Sequence, residues 1–334
     1  MNMKKWVADM IDAPVKKALP VLTFPAIQKM GISVKEFISD SELQAKGMKI
    51  IADSTDSAAS LSMMDLSLEA ECFGSEIHFS DDEVPTVVGS IIEDEEGAEA
   101  LEIPSIGDGR TQIYIDAVEK AAKLITDRPV FAGVIGPFSL AGRLLDVTEA
   151  MIYCYDEPDM VHTVLDKVTT FIIEYIKAYK AVNANGVVMA EPLAGLLSPA
   201  LAEEFSSTYV KRIIDAVQDD EFIVIYHNCG NCTIQMIDSI IATGAPVFHF
   251  GNAIAMDEMM EKIPADRIAM GNVDPAGQLR NGTPESVKES TKSIMEKCCK
   301  YKNFVISTGC DVPPMSSWDN INAFFEAVDE FYKS

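Results

Sequence analysis

Short apolar runs alternate with amphipathic stretches along almost the whole chain. Eight of the runs are rich in Val, Ile and Phe, a composition that predicts strands buried on both faces. These runs cover residues 21–26, 73–79, 129–136, 186–192, 222–226, 246–250, 268–275 and 304–308. Apolar residues at helical spacing predict helices at residues 33–60, 111–126, 139–154, 159–182, 198–217, 283–300 and 318–332. A further amphipathic helix is predicted within residues 1–20.

This alternation predicts the architecture of the chain. Eight strands interleaved with helices over 334 residues fit a single (β/α)8 TIM barrel of the α/β class better than a doubly wound sheet. No glycine-rich dinucleotide fingerprint follows the first predicted strand. The sequence has no internal repeat, low-complexity tract or linker. Residues 1–334 are therefore expected to form one domain.

Charge and cysteine content narrow the expected partners and compartment. The net charge of −25 argues against nucleic acid or an anionic membrane as a partner and favours a solvated acidic surface. Asp9 and Asp12 interrupt any apolar core of a signal peptide, and residues 129–142 are too short to span a bilayer. Seven cysteines, an odd number, predict reduced thiols in the cytoplasm, with metal binding or catalysis favoured over disulfides.

Soft and ionisable side chains collect at the predicted carboxyl ends of the strands, where barrels of this kind place their chemistry. They are Asp81 and Asp82, Glu191, His227 and Cys229, His249, Asp274, and Cys310 and Asp311. His227 and Cys229 point to the same side of the chain because side chains alternate along a strand. Cys310 follows the last strand and opens onto the same mouth. These three residues are predicted to bind one metal ion, most consistent with Zn²⁺ at a site that keeps a fourth position open.

The sequence does not identify the fourth ligand of the ion or the roles of the nearby carboxylates. Glu191, His249 and Cys232 are candidate fourth ligands. His249 is also consistent with a core histidine, and Glu191 with a general base or a hydrogen-bond acceptor. Asp81 is expected either to face the substrate or to cap a loop.

Cys229 and Cys232 also form a CxxC pair at a strand-to-helix turn. Such a pair is typical of a redox dithiol, whose first thiol becomes acidic at a helix N-terminus. That interpretation gives His227 and Cys310 no role, so a dithiol redox protein is the weaker hypothesis.

Several motifs resemble those of the zinc- and corrinoid-dependent methyltransferases of the uroporphyrinogen decarboxylase superfamily, which include the methylcobalamin:coenzyme M methyltransferases. The resemblance extends over nearly the whole chain, and its most discriminating part is the His-x-Cys motif together with Thr-Gly-Cys. The motifs are PVLTFP at residues 20–25, MDLSLEAE at 64–71, FSD at 79–81, GPF at 136–138, HNCGN at 227–231, GNVDP at 271–275 and STGCDVPP at 307–314.

The resemblance implies a uroporphyrinogen decarboxylase-like TIM barrel that binds Zn²⁺ through His227, Cys229 and Cys310. It implies transfer of a methyl group between methylcobalamin, carried by a partner corrinoid protein, and a small acceptor or donor, in particular a thiol such as coenzyme M. Glu191 and Asp81 are then expected to take the thiol proton or to position the substrate. The chain has no Asp-x-His-x-x-Gly cobalamin-binding motif of its own.

Two other function classes remain as alternatives. The decarboxylase branch of the superfamily uses no metal and binds its porphyrinogen with an arginine-rich N-terminal segment and an aspartate in a Phe-Ser-Asp context. Asp81 matches that aspartate, but residues 25–30 read PAIQKM where the arginines would stand. The other alternative is non-enzymatic, either a structural zinc protein or a corrinoid-binding accessory protein.

Overall fold

The computed structural model describes residues 1–333 and contains a parallel sheet wrapped by helices. The strands of this part of the chain are β1 Ser60–Leu61, β2 Glu76–His78, β3 Thr86–Val88, β4 Val130–Ile135, β5 Gly186–Ala190, β6 Ile223–Asn228, β7 Val247–Phe250, β8 Ile268–Val273 and β9 Phe304–Thr308. Its α-helices are α1 Met3–Asp12, α2 Ala26–Met30, α3 Val34–Ile38, α4 Ser41–Ser54, α5 Leu68–Cys72, α6 Glu95–Ala100, α7 Thr111–Leu124, α8 Pro137–Leu145, α9 Val147–Asp156, α10 Pro158–Ala181, α11 Pro199–Ala202, α12 Thr208–Val217, α13 Ile237–Ala242, α14 Met256–Met260, α15 Pro284–Cys298 and α16 Trp318–Lys333. Single 3₁₀ or π turns lie at Pro192–Leu196, Glu203–Ser207, Thr233–Met236 and Pro275–Arg280.

The main sheet has seven strands in the order β1-β4-β5-β6-β7-β8-β9, and all neighbours are parallel. Every residue of β4 to β9 is buried, as expected for strands covered on both faces. Helices follow most of the strands and cover the outside of the sheet. The predicted TIM-barrel fold of the α/β class is confirmed.

The two edge strands of the sheet, β1 and β9, are joined by an extended N-terminal segment. The amide of Leu19 donates to the carbonyl of Ile306 on β9 at 3.0 Å. On the other side, the amide of Ala58, just before β1, donates to the carbonyl of Ala18 at 2.8 Å. Residues 18–21 therefore occupy the gap between the edges and close the barrel wall.

The predicted first strand at residues 21–26 is wrong. After Val21 the backbone turns, with the amide of Ala26 donating to the carbonyl of Thr23 at 3.1 Å, and α2 begins at Ala26 directly behind Pro25. Pro20 and Pro25 cannot donate to a ladder of backbone hydrogen bonds, so a regular strand is disfavoured here. The segment that completes the barrel is therefore irregular and lies slightly earlier than predicted.

The predicted second barrel strand, at residues 73–79, is also wrong. Residues 76–78 form β2, which pairs antiparallel with β3 in a separate surface hairpin. The barrel strand at this place is β1, which pairs with β4 through Ser60 opposite Val130 and Leu61 opposite Phe131. Its stretch of small residues lacks the β-branched side chains that marked the other strands.

The N-terminal helix is shorter than the predicted 1–20. Helix α1 ends at Asp12, because Ala13 precedes Pro14 and the residue before a proline is driven out of the helical region. The ammonium of Lys16 then donates to the carbonyls of Met10, Ile11 and Ala13 at 2.6–2.9 Å and closes the end of the helix. None of the helices in residues 1–333 is long and apolar enough to cross a membrane.

Candidate metal centre

His227, Cys229 and Cys310 meet at the carboxyl end of the sheet. His227 lies at the end of β6, Cys229 directly follows that strand, and Cys310 follows β9 by two residues. The Nε2 atom of His227 is 2.7 Å from the Sγ of Cys229 and 3.7 Å from the Sγ of Cys310. All three ligand atoms lie within 4.8 Å of one another. The structure therefore brings together the three residues that the sequence singled out.

Close backbone packing fixes the position of Cys229. A Cβ on Gly195 would lie 1.7 Å from the carbonyl oxygen of Cys229, so the turn after β5 touches the turn after β6 directly. A Cβ on Gly251, just after β7, would lie 3.3 Å from the Cys229 sulfur. The two glycines thus let the neighbouring turns close around this sulfur, which leaves it little freedom.

The donor set fits a zinc ion. Zinc binds imidazole nitrogen at about 2.0 Å and thiolate sulfur at about 2.3 Å, so ligands of one ion lie roughly 3–4 Å apart. The imidazole nitrogen lies 2.7 and 3.7 Å from the two sulfurs, and all three atoms lie within 4.8 Å of one another, so small adjustments bring them to that spacing. One imidazole and two thiolates satisfy three positions of a tetrahedral ion and leave the fourth for another ligand, which is the pattern of catalytic zinc sites.

The two sulfurs also influence each other. A hydrogen bond from the Cys229 thiol lowers the pKa of Cys310 well below its usual value, and the adjacent His227 lowers it further. The same hydrogen bond, together with burial, raises the pKa of Cys229. The lowered pKa favours the thiolate form of Cys310, which is the form that binds a metal ion.

His249 lies beside this cluster without joining it. Its Nε2 donates to the carbonyl of Thr308 on β9 at 2.6 Å, and its ring centroid lies 4.5 Å from that of His227. Burial lowers the pKa of His249 well below its ordinary value, followed by the effect of His227. The buried ring therefore ties β7 to the end of β9 through its Nε2.

The carboxylate of Glu191 is turned away from the cysteines and onto the N-terminus of α8. It accepts hydrogen bonds from the amides of Phe138 at 3.0 Å and Ser139 at 2.6 Å, and from the hydroxyl of Ser206 at 3.3 Å. Burial raises the pKa of Glu191 to about 7. Of the roles left open by the sequence, these contacts correspond to the hydrogen-bond acceptor.

Asp81 and Cys232 are not brought to the cluster either. Asp81 lies in the loop between β2 and β3 of the surface hairpin and is exposed. Its carbonyl accepts from the amide of Val34 in α3. Cys232 contacts the side chain of Asn231 at 3.9 Å and lies outside the three-residue group found in residues 1–333. Neither residue is part of the site described here.

A small cavity of about 130 Å³ lies above the cluster. His227, His249, Cys310 and Asp311 form its polar floor. Its other walls are apolar and consist of Val21, Met64, Leu66, Val84, Val188, Ala190 and Pro192. A cavity of this size accommodates only a small molecule or one end of a larger one.

Asp311 is a site residue to which the sequence analysis assigned no role. Its carboxyl is buried on the cavity floor beside Cys310, and its Oδ1 has no hydrogen-bond partner among the described residues. Burial raises the pKa of Asp311 well above its usual value, as does the neighbouring Cys310 sulfur. Its place at a strand end was visible in the sequence, but its lack of a partner was not.

A buried ion-pair network supports one wall of the cavity. The guanidinium of Arg110 donates to Asp65 and to Glu71 at 2.6 Å each, and the hydroxyl of Tyr114 donates to Asp65 at 2.8 Å. These residues fix the loop after β1, and that loop carries Met64 and Leu66 into the cavity wall. The pairing between distant residues could not be read from the sequence.

Comparison of nearly the whole chain with known protein families identifies its class. Residues 14–331 match the family described as Uroporphyrinogen decarboxylase (URO-D). The chain therefore belongs to this family, and the family predicted from the motifs is confirmed.

Methyltransferases and decarboxylases are both among the relatives of this chain. The methylcobamide:CoM methyltransferase MtbA of Methanosarcina acetivorans is 28% identical over 279 residues, which cover 80% of this chain and 78% of that protein. A uroporphyrinogen decarboxylase of Coxiella burnetii is 25% identical over 287 residues, covering 82% and 77%. The solved structure of a methyltransferase from Methanosarcina mazei has a TM-score of 0.86 at 23% identity, covers 99% and 98% of the two chains, and shows the shared fold.

Proposed function

We propose that this protein is a zinc-dependent methyltransferase that moves a methyl group between a corrinoid and a small-molecule thiol. The observation that carries the proposal is the His227–Cys229–Cys310 cluster, of which His227 and Cys310 line a small cavity at the barrel mouth. A decarboxylase that works without metal has no use for two cysteines and a histidine whose ligand atoms lie within 4.8 Å. The methyltransferases among the relatives also support methyl transfer over decarboxylation.

His227, Cys229 and Cys310 would hold the zinc ion. When bound, zinc supplies a Lewis acid that lowers the pKa of a thiol and orients it. The apolar walls of the cavity exclude water from the place where the sulfur would react. Backbone contacts from Gly195 and the brace provided by His249 keep the ligands in position. The chain thus contributes positioning and a dry environment.

The proposed reaction is a nucleophilic displacement at carbon. The substrate thiol releases its proton to bulk solvent as it enters the cavity, and its sulfur then attacks the methyl carbon of a methylcorrinoid. A sulfur–carbon bond forms, the carbon–cobalt bond breaks, and its electron pair stays on cobalt as Co(I). The reverse direction, from a methylated thiol to Co(I), uses the same geometry. A thiol of the size of coenzyme M suits a cavity of about 130 Å³.

The corrinoid is proposed to arrive on a partner protein. A corrinoid ring is much larger than the cavity, so only its methyl face can approach the cluster from outside the barrel mouth. The chain also lacks the Asp-x-His-x-x-Gly motif that would bind a cobalamin. A separate corrinoid protein that docks over the mouth would bind the cobalamin itself and present its methyl group to the cluster.

The test is an anaerobic assay of methyl transfer from methylcobalamin to a panel of thiols, with Co(I) absorption and zinc content measured in parallel. Wild-type protein and Cys232→Ser should carry about one zinc and form Co(I). Cys310→Ser should lose both zinc and activity. Activity that persists in Cys310→Ser, or in protein stripped of metal, would refute the proposal. Loss of activity in Cys232→Ser alone would favour the dithiol hypothesis.

The metal-free decarboxylase is the second candidate, because a decarboxylase is also among the relatives. It predicts release of CO2 from uroporphyrinogen by zinc-free protein and no dependence on Cys310. The same purified samples, tested with that substrate, distinguish the two functions.

A further inference from the structure

Arg143 lies in a second cavity that adjoins the one above the metal centre. It is carried by α8, and the second cavity has a volume of about 490 Å³. Met64, Leu66 and Val84 line both cavities, so the two spaces share a wall at the barrel mouth. The cavity that Arg143 lines is thus the neighbour of the cavity above the metal centre.

The guanidinium of Arg143 is largely buried but has little to bind within the protein. Its Nη1 donates to the carbonyl of Ser139 in its own helix at 3.1 Å. No carboxylate of residues 1–333 forms an ion pair with it, whereas Arg110 is paired with Asp65 and Glu71 at 2.6 Å each. A guanidinium has five N–H donors, so most of those of Arg143 are free for a ligand.

The nearest carboxyl groups are occupied elsewhere. Asp65 is paired with Arg110, while Glu69 and Glu191 accept hydrogen bonds from backbone amides. Burial raises the pKa of Glu69 and of Glu191 to about 7, so neither group is a full counter-charge at neutral pH. Asp146, which also lines the cavity, accepts from the amide of Thr148 at 2.8 Å with its Oδ1. The positive charge of Arg143 is thus left without a direct partner.

We propose that Arg143 binds the anionic end of the small substrate, a sulfonate or a carboxylate, while the thiol end lies at His227, Cys229 and Cys310. The proposal rests on the function proposed above and names the residue that selects the substrate. Arginine suits this role because its planar fork donates two parallel hydrogen bonds to an oxyanion. The substrate is then a short chain with a thiol at one end and a negative charge at the other.

The first experiment compares two thiols of similar length on protein loaded with Co²⁺ in place of zinc. 2-Mercaptoethanesulfonate carries the anion and 2-mercaptoethanol does not. Binding of either thiol is read from the sulfur-to-cobalt absorption. Wild-type protein should bind the anionic thiol about 10-fold to 100-fold more tightly, the difference expected for hydrogen bonds to a charged group. Arg143→Met should remove the difference, and Arg143→Lys should keep part of it.

The control variant is Arg212→Met. Arg212 lies on the outside of α12, where it pairs with Asp166, so the substitution removes the same charge far from the mouth. It should leave the preference unchanged. Every variant is checked for Co²⁺ content and unfolding midpoint, so that a misfolded protein is not mistaken for loss of an anion site. If wild type binds both thiols equally, or if Arg143→Met keeps the preference, the proposal for Arg143 is overturned.

A second experiment separates this proposal from the proposed function. Ethanesulfonate has the anion but no thiol, and its binding to metal-free protein is measured by calorimetry. Binding to wild type and Arg212→Met, with loss in Arg143→Met, supports the anion site whether or not thiols reach the metal. Absence of ethanesulfonate binding to wild type counts against the anion site. Failure of both thiols to change the cobalt spectrum counts against the proposed function instead.

Discussion

The Nε2 atom of His227 lies 3.7 Å from the Sγ of Cys310, although 83 residues separate the two in the chain. The strands that carry them, β6 and β9, are not neighbours in the sheet, because β7 and β8 lie between them. Only the curvature of the barrel wall brings the two strand ends to one place. The candidate metal centre therefore depends on the complete barrel.

Replacing one ligand should weaken metal binding strongly. Cys310→Ser removes a thiolate from the three-residue set, and we expect the affinity for zinc to fall by about 100-fold or more, since changes that only reorient ligands already cost about 10–100-fold. Equilibrium titration against a chromophoric zinc chelator measures this. Cys232→Ser is the matched control, because it removes a thiol from the turn that carries Cys229 but outside the three-residue group. Unchanged zinc affinity in Cys310→Ser would contradict the assignment.

The ligand set could be predicted from the sequence for a clear physical reason. Side chains two residues apart at a strand end point to the same side, and parallel strands in a barrel all open onto one mouth. His227, Cys229 and Cys310 satisfy these two rules without knowledge of any contact. The six longer strands, from β4 to β9, were equally readable because their apolar runs match strands buried on both faces.

Other features depend on tertiary contacts that no local pattern records. The direction of the Glu191 side chain is set by the buried backbone amides at the start of α8, which lack partners within the helix and come from a different part of the chain. The first barrel strand has only two residues in the sheet, so its pattern is too short to recognise. The run at residues 73–79 predicts a barrel strand because Phe73, Ile77 and Phe79 are apolar, whereas its residues 76–78 pair in a surface hairpin with alternating exposure.

Adding one methyl group at Gly195 should disrupt the metal centre. The new Cβ would lie 1.7 Å from the carbonyl oxygen of Cys229, so the two turns must separate. We expect Gly195→Ala to lower the free energy of unfolding by about 3 kcal/mol or more and to weaken zinc binding, because backbone atoms cannot move aside as side chains do. Denaturant unfolding and zinc titration measure the two effects.

Gly97→Ala is the matched control for that substitution. Its Cβ would meet only ordinary contacts, the nearest at 3.4 Å, within the short helix α6. Alanine should stabilise this helix by about 0.5–1 kcal/mol and leave zinc binding unchanged. Equal stability of Gly195→Ala and wild type would show that the turns after β5 and β6 are not in contact.

Removing the carboxylate of Glu191 should reduce stability but leave the metal bound. Glu191→Ala leaves the amides of Phe138 and Ser139 buried without an acceptor and opens a cavity, at a cost of about 2–4 kcal/mol. Asp94→Ala, which removes the exposed cap of α6, is the comparison and should cost about 1 kcal/mol. Urea unfolding with zinc analysis measures both. A stable Glu191→Ala protein without zinc would instead make Glu191 a ligand.

The pH dependence of stability should report the buried carboxyl of Glu69. Its Oε1 accepts from the amide of Ile135, its Oε2 has no partner among residues 1–333, and burial raises its pKa to about 7 from an unfolded value of 4.5. Below pH 4.5 the group is protonated in both states, so its stabilising contribution is complete. Between pH 4.5 and about 7 only the folded state holds the proton, and stability is lost as the pH rises through this window.

The shift in the pKa of Glu69 corresponds to about 3 kcal/mol lost between pH 4.5 and pH 8. Glu69→Gln cannot ionise, so it should lose that much less stability over the same range. Glu191 has a similarly raised pKa, so it adds the same pH dependence to the stability of wild type and of Glu69→Gln. The contribution of Glu69 is therefore the difference in free energy of unfolding between the two proteins. Urea unfolding at several pH values measures it. Parallel curves for wild type and Glu69→Gln would mean that the Glu69 carboxyl is not buried in this way, since a solvated carboxyl titrates alike in the folded and unfolded states.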